Sequence, residues 1–277
     1  MTLSEVAAAL AQGGIENAAG EARMIFDAWG APFLSPDPQS DQVGIDQEKL
    51  AQAIARRCQH EPLQYILGVA WFYRECYEVS PACLIPRSDT ECLVDYAIHH
   101  LPPNAHFLDM CTGSGCVAIS VLCSRPDCTA TALDISPEAL ALAKRNAQRN
   151  GVSDRITFLL ADALSYTPDT PFDAMLSNPP YIAHDIISTL STEVQAEPKL
   201  ALDGGEDGLD FYRHFCKNIF LYIYKEGFCS FEIGFDQGEA LKMLSSEHDL
   251  DCKIIRDFGG CDRVAVIRAI AEDIPKH

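Results

Sequence analysis

From His106 onward the chain alternates short apolar runs with helical stretches, and that alternation leaves few folds open. His106–Met110, Ala130–Ile135, Ile156–Leu160 and Phe172–Ser177 read as strands, and Cys116–Cys123 reads as a helix through Val117, Ile119, Val121 and Leu122. Ser136 caps the next helix, with Pro137 at its first position and Gly151 just past its end. Phe228–Ile233, Lys253–Arg256 and Val264–Arg268 add further strands, with a helix around Gly238–Leu244. Strands joined through helices run parallel, because each crossover returns the chain to the same end of the sheet. Such a sheet needs both faces covered. The last two runs have no helix between them and are expected to pair antiparallel at an edge. The expected class is α/β.

The first part of the chain reads differently. Residues 2–29 and 46–60 are expected to be helical, with Thr2 or Ser4 as the first cap and Val6, Leu10, Ala22, Ile25, Phe26 and Trp29 on apolar faces. Ala31–Gly44 between them is rich in Pro, Ser, Asp and Gln and reads as a loop. In residues 63–86, Tyr65, Ile66, Val69, Trp71, Tyr73, Tyr77 and Val79 alternate as in a hairpin. The expected organisation is a small all-helical domain over 1–62, a β-hairpin linker over 63–86 and an α/β domain over 87–277. Ser88 is expected to cap a helix through Leu93, Val94 and Ala97, with Glu91 at the capping-box position. Arg87, just before it, is either a solvated charge or a residue lining the mouth of a site.

Charge and cysteine content narrow the partners. The formal charge is −19, spread over both halves, and that field opposes a nucleic-acid backbone, which is bound through Lys and Arg. The twelve cysteines are scattered with no Cys-x-x-Cys pair, so they read as small buried apolar residues of a reduced protein, and no metal site is expected. No Lys or Arg precedes Arg23 and no apolar run approaches a membrane span, so neither a secretory signal nor a membrane partner is expected and the expected location is cytoplasmic.

Candidate chemistry collects at the expected strand ends. Cys111-Thr112-Gly113-Ser114-Gly115 is a turn between a strand and a helix, where two glycines let backbone approach a ligand. It matches neither the dinucleotide fingerprint nor a phosphate loop, since no lysine follows the glycines. Asp134, at the end of the second strand, stands where a carboxylate grips ribose hydroxyls, and Asp162 after the third is placed to accept from an adenine amine. After the fourth strand comes Asn178-Pro179-Pro180-Tyr181. The two prolines stop the strand and stiffen the loop. Asn178 adds a side-chain acceptor beside outward carbonyls, and Tyr181 an aromatic face. Two adjacent acceptors suit a planar –NH2 group, which has two hydrogens to hold. A nucleoside site without phosphate machinery points to S-adenosylmethionine.

These stretches resemble the HemK/PrmC family of protein-glutamine methyltransferases, along essentially the whole chain. The resemblance rests on Tyr65–Gly68, Leu84–Glu91, Asp109–Gly115, Asp134–Ser136, Ser177–Ile182, Glu197-Pro198 with Ala201-Leu202, and Glu232–Gly234. It implies a Rossmann-like class I methyltransferase domain behind a helical N-terminal domain and a hairpin. It also implies S-adenosylmethionine as cofactor and the glutamine of the Gly-Gly-Gln motif of peptide chain release factors as substrate. By the same resemblance Cys111, Thr112, Gly113, Ser114, Gly115, Asp134, Ala163 and Asn178 contact the cofactor, and Asp162 joins them on its strand-end position. The resemblance also implies that Asn178, Pro179, Pro180 and Tyr181 hold the substrate glutamine, with Asn178, Pro179 and Tyr181 as catalytic residues, while Arg87 is a candidate substrate residue from its place before the domain. Cys111 stands where the family usually has glycine, and Ala163 where some members carry an aromatic. Rival readings are a glutamine methyltransferase of a ribosomal protein, an exocyclic-amine methyltransferase of nucleic acid and a non-enzymatic nucleoside-binding module. The acidic charge opposes the nucleic-acid reading, and the Asn178–Tyr181 stretch opposes the module.

Overall fold

The structure is a computed structural model that describes residues 1–29 and 47–270, and it divides into two units. The first comprises Met1–Val69 together with Leu190–Ala196. Its helices are α1 (Leu3–Gln12), α2 (Ala18–Trp29), α3 (Gln47–Arg57) and α4 (Leu63–Leu67). Thr2 caps α1 in a complete capping box with Glu5. The continuous helix expected over 2–29 is broken between α1 and α2, where Gly14 takes a positive φ of 79° and Gly13 packs where a Cβ would lie 2.4 Å from Cys58 Sγ. The expected loop Ala31–Gly44 lies outside the described residues. Val6, Leu10, Ile25 and Leu50 are fully buried in the helical core. Beside it, buried Arg57 pairs with Glu21 (Nε to Oε2, 2.5 Å) and with Glu193 (Nη1 to Oε1, 3.1 Å) of the single-turn helix Thr192–Gln195.

The hairpin is narrower than the alternation suggested. β1 (Val69–Phe72) and β2 (Glu75–Glu78) form it, whereas Tyr65 and Ile66 lie in α4, which ends at Gly68 with φ 73°. Leu63, Ile66 and Leu67 fall at helical spacing, and burial against α1–α3 overrides the local strand-like pattern.

The second unit runs from Ala70 to Thr189 and resumes at Glu197. Its helices include α5 (Glu91–His100), α6 (Cys116–Ser124) and α7 (Pro137–Arg149). Its strands are β3 (His106–Met110), β4 (Thr129–Asp134), β5 (Ile156–Leu160), β6 (Phe172–Ser177), β7 (Ile223–Glu232), β8 (Leu250–Arg256) and β9 (Asp262–Ala269). They form one seven-stranded sheet in the order β5-β4-β3-β6-β7-β9-β8. β3 pairs parallel with β4 and β6, β4 with β5, and β6 with β7, while β9 is antiparallel to both β7 and β8. β9 inserts beside β7, leaving β8 alone at that edge. Successive residues of β3 face opposite cores. Phe107 joins Leu93, Val94 and Val117 on one face, and Leu108 and Met110 join Tyr212, Phe215 and Ile219 on the other. This is the α/β sandwich that the alternation predicts.

The expected Ser88 capping box is absent. Ser88–Thr90 forms a 3-10 turn ahead of α5, and Glu91 Oε1 accepts instead from the Tyr73 amide of the hairpin at 2.9 Å.

Candidate active site

Chain order reverses at β3: β4 and β5 lie to one side, β6 and β7 to the other, so the crevice opens beyond the carboxyl ends of β3 and β6. The register makes this a level row. Met110 pairs with Leu133 and with Ser177, and Ser177 with Phe231. Cys111, Asp134, Asn178 and Glu232 are the next residues along, so the sheet itself brings them to one line.

The turn after β3 is held from several sides. Gly113 (φ 56°) and Gly115 (φ 83°) take left-handed conformations, and so does Cys111 at φ 61°, which is uncommon for a residue with a side chain. The Gly113 amide donates to Asp134 Oδ2 at 2.8 Å, the Thr112 amide to the Leu133 carbonyl at 2.9 Å, and Asn146 Nδ2 to the Ser114 carbonyl at 2.9 Å. Asp109, buried beneath the turn, accepts from the Thr112 hydroxyl (2.6 Å) and the Ala118 amide (3.2 Å). Burial raises its carboxyl to about 7 despite those hydrogen bonds. Asp134 is also pushed upward by burial, opposed by the Ser136 and Gly113 amides.

A cavity of about 310 Å³ lies over this row, large enough for a nucleoside. Of the expected site residues, Arg87, Cys111, Thr112, Gly113, Ser114, Asp134, Asp162, Ala163, Asn178 and Pro180 line it; Gly115, Pro179 and Tyr181 do not. Gly115 serves packing, since a Cβ there would lie 2.9 Å from Ile119 Cδ1 and 3.1 Å from Ala143 Cβ. Asp162 is exposed and caps its own turn through the Leu164 amide (2.9 Å). Arg87 is paired with buried Glu197, whose other oxygen accepts from the Ile85 amide at 2.9 Å. Asp109, Asp134 and Asp162 are the acids of the wall, and Arg87 beside them is neutralised by Glu197. The wall suits a cationic nucleoside better than a phosphate. The buried Ser114 hydroxyl has no hydrogen-bond partner among the described residues beyond a contact with the Cys116 thiol. A ligand with polar atoms would satisfy it. On these grounds the cavity fits S-adenosylmethionine.

Asn178 sits in a hydrogen-bonded chain that sequence reasoning did not find. Its Nδ2 donates to Thr90 Oγ1 (3.2 Å), the Thr90 hydroxyl donates to Glu232 Oε2, and the Tyr181 hydroxyl donates to Glu232 Oε1 (3.2 Å). Among the described residues Asn178 Oδ1 makes no bond, so it remains available to a ligand. Burial raises Glu232 to about 7, opposed by the Thr90 and Tyr181 hydroxyls, and pushes the Tyr181 phenol well up. The loop beyond Tyr181 is clamped by Gln237, whose Nε2 donates to the Tyr181 carbonyl (3.0 Å) and the Gly208 carbonyl (3.2 Å). Thr90, Asp109, Glu197 and Glu232 all lie within motif stretches. Thr90, Glu197 and Glu232 take their roles from partners 88 to 142 residues away, whereas Asp109 holds its own turn through Thr112 and Ala118.

Two family models match the chain: "Methyltransferase small domain" over residues 90–205 and "PrmC N-terminal domain" over residues 39–68. A release factor glutamine methyltransferase from Geobacter sulfurreducens is 39% identical over 264 residues, covering 92% of this chain and 91% of that protein. One from Moorella thermoacetica is 36% identical over 269 residues, covering 94% and 95%. A solved methyltransferase from Pyrococcus furiosus matches at a TM-score of 0.53 with 18% identity, covering 69% of this chain and 86% of that one, a likeness of fold.

Proposed function

This chain belongs to the release factor glutamine methyltransferases, and from that premise we propose that it transfers a methyl group from S-adenosylmethionine to the side-chain amide nitrogen of the glutamine in the Gly-Gly-Gln motif of release factors. One observation carries the reading: Asn178, at the end of β6 on the cavity wall, has its donor end committed to Thr90 and its acceptor end without a partner among the described residues. An amide –NH2 is a pair of donors, and this is a pre-set acceptor for one of them.

When bound, S-adenosylmethionine supplies an electrophilic methyl group on a sulfonium. The chain must do the rest. An amide nitrogen is a poor nucleophile, because its lone pair is delocalised into the carbonyl. Asn178 Oδ1 and the Pro179 carbonyl each accept one N–H, which orients the nitrogen and stabilises positive charge as it grows there. Tyr181 flanks the amide and Pro180 stiffens the loop. No strong base is needed before transfer, and the proton leaves afterwards to solvent. Gly113, Ser114, Asp134 and Ala163 line the nucleoside side, and the acids of the wall favour the sulfonium in their ionised form.

The helical unit, part of which matches a PrmC N-terminal domain over residues 39–68, is assigned to recognition of the release factor because the methyl-transfer site lies wholly in the other unit. The net charge of −19 disfavours a nucleic-acid substrate. No helix among the described residues is long and apolar enough to cross a membrane. A substrate of translation termination puts the protein in the cytoplasm. The test is transfer of labelled methyl to release factor, ribosomal protein and nucleic acid offered separately. Label on the release-factor glutamine supports the proposal; label only on ribosomal protein or nucleic acid overturns it.

A further inference from the structure

We infer that Glu232 is a positioning residue for this reaction: acting through Thr90, it decides which end of the Asn178 amide faces the substrate. The inference rests on the reading of Asn178 as the acceptor for the substrate amide. The two ends of an asparagine amide are nearly the same shape and opposite in hydrogen-bonding sense, so a half-turn about the last torsion converts an acceptor site into a donor site. A substrate –NH2 would then meet a second –NH2.

The choice is made two residues away. The Thr90 hydroxyl has one hydrogen, and it is given to Glu232 Oε2. Only its lone pairs remain for Asn178, so Nδ2 must turn toward Thr90, as observed at 3.2 Å. An ionised carboxylate imposes this sense because it can only accept. Its other oxygen takes the Tyr181 hydroxyl hydrogen at 3.2 Å, so one buried carboxylate fixes both ends of the Asn178–Tyr181 loop. Glu232 itself is held at the end of β7, where its backbone carbonyl accepts from the Tyr212 hydroxyl at 2.7 Å. The charged and titratable groups acting on it are Tyr181, Asp89 beside Thr90, and Arg263 of β9, which is itself paired with Asp89 and Asp257; Tyr212 and Cys116 also feel its charge.

Protonation reverses the logic. A protonated Glu232 can give its hydrogen to Thr90 Oγ1, which frees the Thr90 hydrogen for Asn178 Oδ1. The amide then turns and presents Nδ2 to the substrate. With the carboxyl raised to about 7, this exchange falls in the neutral range and gives turnover an acidic limb.

The experiment measures single-turnover methylation of release factor at saturating S-adenosylmethionine, from pH 6 to 9. It uses the full chain and its variants Glu232→Gln, Thr90→Val, Thr90→Ser and the Glu232→Gln/Thr90→Val double. Glu232→Gln and Thr90→Val should each lose on the order of ten- to hundredfold in rate and lose the acidic limb. Thr90→Ser should keep both, and the double variant should be no slower than the slower single. If Glu232→Gln does not fold, the contrast between Thr90→Val and Thr90→Ser decides alone. A full wild-type rate with an intact acidic limb in either Thr90→Val or a folded Glu232→Gln overturns the inference, and so do fully multiplicative losses in the double. A wild-type chain that does not methylate release factor fails differently: it overturns the substrate reading itself.

Discussion

The Gly113 amide and the Asp134 carboxylate are joined by a 2.8 Å hydrogen bond that ties the turn after β3 to the end of β4. The residue expected to grip ribose therefore also shapes the turn that ribose approaches, and Asp134 Oδ1 holds the Ser136 amide as well (2.9 Å). Asp134→Ala should weaken S-adenosylmethionine binding by about 1.5–3 kcal/mol, or roughly ten- to 150-fold, through a charge-assisted hydrogen bond. Asp134→Asn, which keeps an acceptor, should lose less. Calorimetry that finds equal affinity in all three proteins removes Asp134 from the site.

Cofactor affinity should depend on pH with a definite sign. Asp109, raised to about 7 by burial, is largely neutral below that pH and anionic above it. A sulfonium is attracted only to the anion. Binding should therefore strengthen as pH rises from 6 to 8, by up to about tenfold per pH unit for one linked proton, with proton release. The neutral thioether product should show a shallower slope, and Asp109→Asn should flatten the slope for both. Titrations in buffers of different ionisation enthalpy count the proton. Equal slopes for cofactor and product would dismiss the charge argument.

Asn178→Ala removes a preorganised acceptor and should lower single-turnover rate at saturating cofactor by on the order of 10²–10³. Asn178→Asp should recover part of that rate. It restores an acceptor toward the substrate, but it also sets two carboxylates against the single hydrogen of Thr90. The recovery should therefore be larger at pH 6, where Glu232 carries its own proton, than at pH 8. A wild-type rate in the alanine variant reduces the loop to a strand stop.

Gly208→Ala tests the clamp on the loop. Gly208 has φ 77°, and a Cβ there would lie 2.2 Å from the Tyr181 carbonyl oxygen. The left-handed conformation costs about 1–2 kcal/mol for an L-residue and the overlap adds to it, so the loss should be about 2 kcal/mol or more. Denaturant midpoints check this, and an unchanged midpoint contradicts the geometry.

Arg57→Met tests the helical unit without deleting it, since deletion would leave Leu190–Ala196 bare. Removing Arg57 strands Glu21 and Glu193, at a cost of about 2 kcal/mol; Glu193 is a third exposed, so the 3–5 kcal/mol of a fully buried pair is not reached. If the unit recognises release factor, KM for the factor should rise while cofactor affinity stays near wild type. An unchanged KM in a destabilised variant argues against the recognition role.

Sequence alone determined what depends on neighbours along the chain. Strand–helix alternation required a mainly parallel sheet, Thr2 or Ser4 and Ser136 marked helix starts (the structure selects Thr2), and Asn178-Pro179-Pro180-Tyr181 and the Gly113/Gly115 turn marked strand ends, because these signals are local in φ, ψ and hydrogen bonding. Tyr65 and Ile66 misled because alternation over a few residues does not reveal the helical core that buries them. Tertiary structure alone decided the row of Cys111, Asp134, Asn178 and Glu232, which exists only once strand register is set across β4-β3-β6-β7. It alone engaged Arg87 with Glu197, 110 residues away, and joined Asn178 to Glu232 through Thr90 across 88 and 142 residues. A buried side chain takes its meaning from whatever hydrogen-bond partner the fold delivers, and no spacing along the chain encodes that partner.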